Sequence, residues 1–243
     1  MEAKTTRSGA AAPLSPRNRA ALAPLAPKTL VEQVAEAVVQ AAASGAFLPG
    51  DRVVEADIAR DLRVSRVPVR EALRMLESQG IVVNTPYRGM RLMEVSAARL
   101  EQTLKVRLEL DKLAARELLA RRRSDPSALA GLVGTVERMR DAARRGDGYG
   151  VATADTAFHR ELCRASGNEV LLRVWEPLSR QLTIIFGLST LQKDLDAIVR
   201  EHVDLLEAFG RGDLRALERL MEEHILEQPA RVDYEGYAAR ARG

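Results

Sequence analysis

The chain from Ser96 onwards shows apolar residues at helical spacing and no alternating pattern typical of β-strands. Turn and capping residues divide this stretch into helical segments joined by short connections. The predicted segments lie at about 96–122, 126–145, 150–166, 169–187, 192–210 and 214–228. Because short connections favour antiparallel neighbours, the pattern predicts an all-helical antiparallel bundle of about six helices.

The preceding stretch, residues 28–95, shows a different order of elements. Three helical patterns are followed by two short β-branched runs around a Pro- and Gly-containing turn. The predicted helices lie at about 28–44, 55–62 and 65–79, and the strands at 81–83 and 90–92. This is the order of a winged helix-turn-helix, so the whole chain is predicted to be mainly α.

The two ends of the chain lack a sustained period. Residues 1–27 are rich in Ala, Pro and Ser and are predicted to be a disordered basic arm, and residues 231–243 a C-terminal tail. The domains between them are predicted at 28–95 and 96–230. The arm carries four basic residues and one acidic residue, which already equals the net charge of +3. Net charge therefore does not indicate DNA binding, and the arm either touches DNA phosphates or has no function of its own.

The third helix carries two stripes of side chains. Val69, Leu73 and Leu76 share one apolar face, whereas arginines at positions 66, 70 and 74, four residues apart, form a cationic face. A helix with a packed back and an arginine front suits the major groove of DNA, where Arg binds phosphates or guanine. The alternative is an ordinary solvated basic face.

The stretch GAFLPGDRVVEADIARDLRVSRVPVREALRMLESQG, residues 45–80, closely resembles the N-terminal domain of GntR-family bacterial transcription regulators. The resemblance implies that the third helix contacts operator DNA through arginines and that the wing tip enters the minor groove. Val67 departs from the family's usual Thr, which removes one polar contact. The predicted DNA-binding residues are Ser65, Arg66, Val67, Arg70, Arg74, Arg88 and Gly89.

All three histidines lie in the last third of the chain, on separate predicted helices. Asp155 and His159 are four residues apart and project from one helix face, while His202 and His224 lie on two further helices. If these side chains converge, they would hold a divalent ion such as Zn, Ni, Mn or Fe. Spacing alone leaves the alternative open that each histidine is a surface or hydrogen-bonded residue.

The bundle resembles the FCD effector domain, which accompanies this DNA-binding domain in the FadR subfamily, and its helix count resembles the VanR-like subgroup. The matching residues lie in DTAFHRELCRASGN, residues 155–168, and around His202 and His224. The resemblance covers about residues 28–228. It implies that Asp155, His159 and these two histidines bind a divalent metal that a small carboxylate effector coordinates.

A carboxylate effector requires a cationic partner. Arg107 occupies the place of a recurrent arginine in the family and is the leading candidate, with Arg173 and Arg180 as further ones. The alternative for Arg107 is a surface arginine paired with Asp111, one turn later on the same helix.

These patterns together predict a ligand-responsive transcription regulator, expected to be a repressor and not an enzyme, that binds double-stranded operator DNA as a homodimer. Two alternatives stay open. One is a metal-dependent hydrolase fused to a DNA-binding domain, and the other is a constitutive DNA-binding protein with a structural metal.

Hydropathy and cysteine usage bear on location. No apolar run approaches the roughly 18 residues of a membrane span, and no signal-peptide segment is present. Cys163 is the single cysteine, so an intrachain disulfide is excluded, and we expect a half-buried helix residue there. The expected location is the bacterial cytoplasm, with no membrane partner.

Overall fold

The fold is taken from a computed structural model that describes residues 29–87, 89–122, 125–227, 229, 232–234 and 236. The predicted basic arm at 1–27 lies outside the described residues, as do Arg88 and most of the predicted tail.

The N-terminal part of the described chain has the predicted order of helices and strands. Thr29 and Glu32 form a reciprocal capping box at the start of the first helix, in which each side chain accepts the other residue's backbone N–H. The elements are α1 (Leu30–Ala43), α2 (Glu55–Asp61), α3 (Arg66–Ser78), β1 (Val82–Thr85) and β2 (Gly89–Leu92). The strands are antiparallel, with Val82 opposite Leu92 and Thr85 opposite Gly89. This unit is a winged helix-turn-helix, as predicted.

The rest of the described chain is helical. Its elements are α4 (Ala97–Arg122), α5 (Ala130–Arg144), α6 (Gly148–Ala165), α7 (Glu169–Trp175), α8 (Ser179–Thr190), α9 (Leu195–Arg211) and α10 (Leu214–Glu222). A 3₁₀ turn (Pro126–Leu129) precedes α5, and a π-helical turn (Glu223–Glu227) extends α10. The predicted fold class, a winged helix-turn-helix followed by an all-helical bundle, is confirmed.

The segment predicted as one helix at 169–187 is divided in the structure. A 3₁₀ turn at Glu176–Leu178 separates α7 from α8, and Pro177 lies within it. Proline lacks a backbone N–H and its ring crowds the preceding turn, so a regular helix cannot continue through it.

Side-chain caps explain where the bundle helices begin. Asp147, Asn168, Asp194 and Asp213 each accept a hydrogen bond from a backbone N–H in the first turn of α6, α7, α9 and α10. These caps satisfy donors that a helix start would otherwise leave without partners. They place the starts of α6 and α9, which carry three of the four predicted metal ligands.

The two parts of the chain meet where α1 packs against α8. A Cβ atom at Gly187 would lie 2.5 Å from the Cβ and carbonyl oxygen of Ala43, so only glycine permits this approach of the two helices. Arg180 donates to the Gln79 side chain at 3.0 Å, and Gln181 donates to the Gln79 carbonyl. The bundle therefore contacts the C-terminal end of α3 directly.

Two residues are more deeply buried than the sequence analysis predicted. Cys163 is fully buried in α6, rather than half-buried as expected. Tyr234 is 6% exposed and packs into the main core, although the predicted bundle boundary at residue 230 assigns it to the tail. Among the described helices, none combines the length and apolar character that a membrane crossing requires.

Candidate functional site

Four buried side chains converge inside the bundle. Asp155 and His159 project from α6, His202 from α9 and His224 from the π-helical turn after α10. One ligand atom from each residue lies within 4.8 Å of the others. The Nε2 atoms of His159 and His224 are 3.2 Å apart, and Nε2 of His202 is 3.5 Å from an Asp155 carboxylate oxygen. The helices therefore bring together the four residues that the sequence grouped.

Two of the three imidazoles have a hydrogen-bond partner at Nδ1, on the side away from the cluster. In His202 this atom lies 2.8 Å from the Ile198 carbonyl oxygen, and in His224 it lies 2.8 Å from a Glu201 carboxylate oxygen. In His159 it lies 2.9 Å from Asp111 Oδ2, but this contact lacks the geometry of a hydrogen bond. In His202 and His224 the oxygen acceptor at Nδ1 favours the tautomer with its proton there, which leaves the Nε2 lone pair facing the cluster.

Burial keeps two of these rings neutral. It lowers the pKa of His159 and of His224 well below the usual histidine value, and the positive charge of Arg107 lowers both further. A neutral imidazole with a free lone pair is the form that ligates a metal.

The contact between His159 and His224 tests whether the cluster fits a metal. The two Nε2 atoms are 3.2 Å apart, which is a hydrogen bond if His159 carries its proton on Nε2 and two facing lone pairs if both rings carry it on Nδ1. Asp155 Oδ1 and His202 Nε2 are also buried and make no hydrogen bond among the described residues. A cation among these atoms would satisfy all of them, and three nitrogens with one carboxylate suit a divalent transition metal.

Arg107 lies beside the cluster and is 1% exposed, so it is not a surface residue. Its Nε donates to Asp111 Oδ2 at 3.3 Å, and its guanidinium lies 4.8 Å from the centre of the Phe186 ring. Its two terminal nitrogens make no hydrogen bond among the described residues, and one lies 3.8 Å from Asp155. The two terminal nitrogens of Arg107 can therefore donate to an anionic partner. Its Nε pairs with Asp111, the partner that the sequence offered as the alternative.

Asp111 connects several of these groups. Its Oδ1 accepts a hydrogen bond from the Trp175 indole at 2.9 Å, and its Oδ2 faces both Arg107 and His159. Burial raises the pKa of Asp111 to about 6, although the Arg107 charge and the Trp175 hydrogen bond oppose this rise. The sequence presented Asp111 only as a partner of Arg107, because its approach to α6 and α7 is a long-range contact.

The other two predicted cations lie elsewhere. Arg173 is exposed and Arg180 is half-buried, and both line an open cleft at the contact with α1 and α3. Neither lines the cavity beside Asp155 and His224, and their role toward an effector stays a prediction. Arg180 is instead bound to Gln79, since α8 begins next to the DNA-binding unit.

The predicted reading helix presents its cationic stripe to solvent. Arg66, Arg70 and Arg74 are exposed, as are Ser65 and Val67, while Val69, Ala72, Leu73 and Leu76 are buried, as predicted. Ser65 occupies the N-cap position of α3, but its side chain makes no capping hydrogen bond. The Ser65 hydroxyl thus does not cap α3.

Glu55 at the start of α2 holds one of these arginines, which the sequence did not predict. The Arg70 guanidinium donates to both Glu55 carboxylate oxygens, at 2.9 and 3.1 Å. The hydrogen bond from Arg70 lowers the pKa of Glu55, since it stabilises the charged carboxylate. This fork orients Arg70 across the turn between α2 and α3.

The wing turn requires a glycine. Gly89 has φ +74°, a left-handed conformation that glycine adopts without a steric penalty. Arg88, the other predicted wing residue, lies outside the described residues.

Comparisons with known families agree with this division of the chain. The family described as "Bacterial regulatory proteins, gntR family" matches residues 30–92, and the FCD domain matches residues 102–227.

Two relatives match most of the chain. The "Probable D-xylose utilization operon transcriptional repressor" of Paenarthrobacter nicotinovorans is 30% identical over 197 residues, which cover 81% of this chain and 86% of that protein. The HTH-type transcriptional regulator McbR of Escherichia coli K12 is 28% identical over 198 residues, which cover 79% of this chain and 87% of that protein.

Solved structures share the fold. E. coli McbR superposes with a TM-score of 0.68 at 20% identity, covering 89% of this chain and all of that one. A GntR regulator from Rhodococcus sp. RHA1 also gives a TM-score of 0.68, at 21% identity, covering 82% of this chain and 95% of that one. Since the matching families and relatives are transcription regulators, the hydrolase alternative is set aside. The chain therefore belongs to the GntR family of bacterial transcription regulators, with an FCD domain following its DNA-binding domain.

Proposed function

We propose that this chain is a repressor whose bundle, residues 96–230, binds a divalent metal and a small carboxylate effector. Its unit at 28–95 binds double-stranded operator DNA, and two copies act as a homodimer in the bacterial cytoplasm. The metal ligands are Asp155, His159, His202 and His224.

The observation that carries the metal proposal is the convergence of three buried imidazoles and one buried carboxylate. Oxygen atoms of Ile198 and Glu201 lie at Nδ1 of His202 and His224, so the Nε2 lone pairs of these two rings face the cluster. Without a metal, a proton on Nε2 of His159 would bond His224, but Nε2 of His202 and Oδ1 of Asp155 would keep no partner among the described residues. A bound Zn, Ni, Mn or Fe ion would supply a Lewis-acidic centre for a carboxylate oxygen.

Arg107 supports the carboxylate proposal. A buried guanidinium with two terminal nitrogens that make no hydrogen bond carries a desolvation cost, which a bound anion would offset. Arg107 is adjacent to Asp155, so it would bind the effector oxygens while Phe186 supports the face of its guanidinium.

The exposed stripe on α3 and the wing support operator binding. Arginines on a packed helix following a tight turn suit the major groove. A repressor role is proposed because one relative is described as an operon repressor. Paired half-sites would match a two-fold homodimer. The proposed DNA contacts are Ser65, Arg66, Val67, Arg70, Arg74, Arg88 and Gly89.

The helix α8 supports a coupling route between the two sites. Phe186 lies under Arg107, and Ser189 lines the cavity beside the cluster. The same helix contacts α1 through Gly187 and the end of α3 through Arg180. Effector binding that shifts α8 would favour a domain arrangement in which two reading helices no longer match the operator spacing.

Thermal unfolding of metal-loaded and chelator-stripped protein, each with a panel of small carboxylic acids, tests this function. A ligand that binds only the native state raises the melting temperature by mass action. We expect one class of acid to raise it in the loaded protein only, and the same acid to weaken binding to operator DNA. If metal stabilises the protein but no acid changes operator affinity, the metal is structural and the DNA binding constitutive.

The variant His202→Ala tests the ligand set separately. Elemental analysis should find less bound metal than in the parent protein, while DNA binding persists because His202 lies in the bundle. Glu207→Ala, on the exposed side of the same helix, serves as the control and should retain full metal content. Full occupancy in His202→Ala would remove this residue from the ligand set.

A further inference from the structure

The Tyr234 side chain has a polar group without a partner. Its ring is 6% exposed, and its buried hydroxyl makes no hydrogen bond among the described residues. Leaving a buried hydroxyl unsatisfied costs about 1–3 kcal/mol, so native proteins rarely do so without a functional reason.

The hydroxyl lies near the cavity beside the metal cluster, although Tyr234 is not itself one of the residues that line it. Its neighbours there are the Ser189 side chain and the Asp155 carboxylate, both of which line that cavity. The cavity has a volume of about 20 Å³, which is room for one water-sized group. The ring of Tyr234 also lines a larger apolar groove of about 480 Å³ against Leu100 and Leu104 of α4. Tyr234 thus lines this groove and also lies near Asp155 of the cluster.

We infer that the Tyr234 hydroxyl donates a hydrogen bond to the oxygen atom that occupies this cavity, water in the effector-free protein and a carboxylate oxygen in the complex. This inference rests on the proposed function and adds a specificity-determining residue to it. Two donors that both lie near Asp155, the Arg107 guanidinium on α4 and the Tyr234 phenol, would then bind the two oxygens of one carboxylate.

The phenol is suited to donate. The usual pKa of a tyrosine phenol is about 10, so the hydroxyl keeps its proton at neutral pH. A protonated phenol beside an anion donates rather than accepts, which favours a carboxylate over a cationic or purely apolar ligand.

The test compares Tyr234→Phe with the parent protein, both loaded with Ni²⁺ and titrated with acetate. Acetate affinity is measured from the rise in melting temperature with acetate concentration. Since a hydrogen bond to a charged group is lost, we expect acetate binding to weaken by roughly tenfold or more. Nickel content should stay unchanged, and the metal-free variant should melt no lower than the parent, because the lost hydroxyl had no partner there. Tyr149→Phe, which removes a hydroxyl from a half-buried tyrosine in the first turn of α6, should bind acetate like the parent.

The outcomes separate this inference from the proposed function. Equal acetate affinity in Tyr234→Phe and parent would overturn the role of Tyr234 and leave the metal-carboxylate proposal standing. If the parent shows no nickel-dependent acetate binding at all, both are overturned. Loss of nickel from Tyr234→Phe would instead make the tyrosine a support of the metal ligands, contrary to the inference.

Discussion

The Nδ1 atom of His224 lies 2.8 Å from Oε2 of Glu201, a residue of α9 directly before His202 in the chain. One helix therefore supplies a ligand to the cluster from position 202 and an outer partner for another ligand from position 201. The pair holds the His224 ring so that its Nε2 faces Asp155, at 3.9 Å.

Replacing this outer partner should weaken metal binding without removing a ligand. In Glu201→Ala the His224 ring loses its acceptor and its fixed tautomer, and we expect metal affinity to fall by about 10–100-fold. Competition with a calibrated chelator measures the change. Glu207→Ala removes a carboxylate from the same helix that pairs with Arg211 at the surface, and it should bind metal like the parent. Equal affinity in both variants would show that Glu201 does not tune the site.

The forked pair of Arg70 and Glu55 leads to a prediction for DNA binding. Arg70→Ala should weaken binding to the operator by about 1–3 kcal/mol if Arg70 contacts a base. Fluorescence anisotropy with operator and scrambled duplexes measures both affinities at one salt concentration. Arg138→Ala, an exposed arginine on α5, is the matched control and should leave both unchanged. A loss that is equal on all sequences would identify a phosphate contact instead.

The close approach of Gly187 to Ala43 makes the interface between the two domains sensitive to a single methyl group. Gly187→Ala places a Cβ 2.5 Å from backbone and side-chain atoms of Ala43, so α1 and α8 must separate. We expect a loss of about 1–3 kcal/mol in the free energy of unfolding, together with altered operator affinity. Denaturant titration and anisotropy measure the two effects.

Gly134→Ala is the control for this substitution, because a Cβ there meets only the far end of the Arg138 side chain at 3.7 Å. An added Ala methyl within an uncrowded helix should be neutral or stabilising by about 0.5–1 kcal/mol. If Gly187→Ala behaves in the same way, the domain interface is looser than the structure indicates.

The single tryptophan provides a reporter for the cluster. Trp175 is fully buried and donates to Asp111, which also faces His159 and Arg107. Metal loading changes the charge beside Asp111, so we expect a change in Trp175 emission that saturates with bound metal. His202→Ala should show a much smaller change at the same metal concentration. Identical emission from loaded and stripped parent protein would contradict this coupling.

Local patterns predicted much of the fold because helices and hairpins depend on spacing and capping within a few residues. The buried face of α3 and the exposed arginine stripe agree with the prediction, since both follow from the helical period. The break at Pro177 was missed because the apolar period continues across it, although proline itself was the signal.

Local sequence predicted only part of the candidate site. Asp155 and His159 were grouped by their spacing on one helix, but the approach of α9 and α10 to that face was known only through family resemblance. Glu201 and Asp111, which lie at the Nδ1 atoms of His224 and His159, could have been suspected only from their positions beside His202 and Arg107.

The sequence by itself determined the order of elements, the family and the residues available as ligands, because these depend on local spacing and on motif identity. The tertiary structure decided which of three candidate arginines reaches the cluster, which acceptors hold two of the imidazoles, and that Tyr234 packs into the core. These contacts join positions far apart in the chain, from Arg107 to Tyr234. Burial decides their chemistry, because a carboxylate, a guanidinium or a phenol changes its pKa and its need for partners only once neighbouring helices exclude water from it.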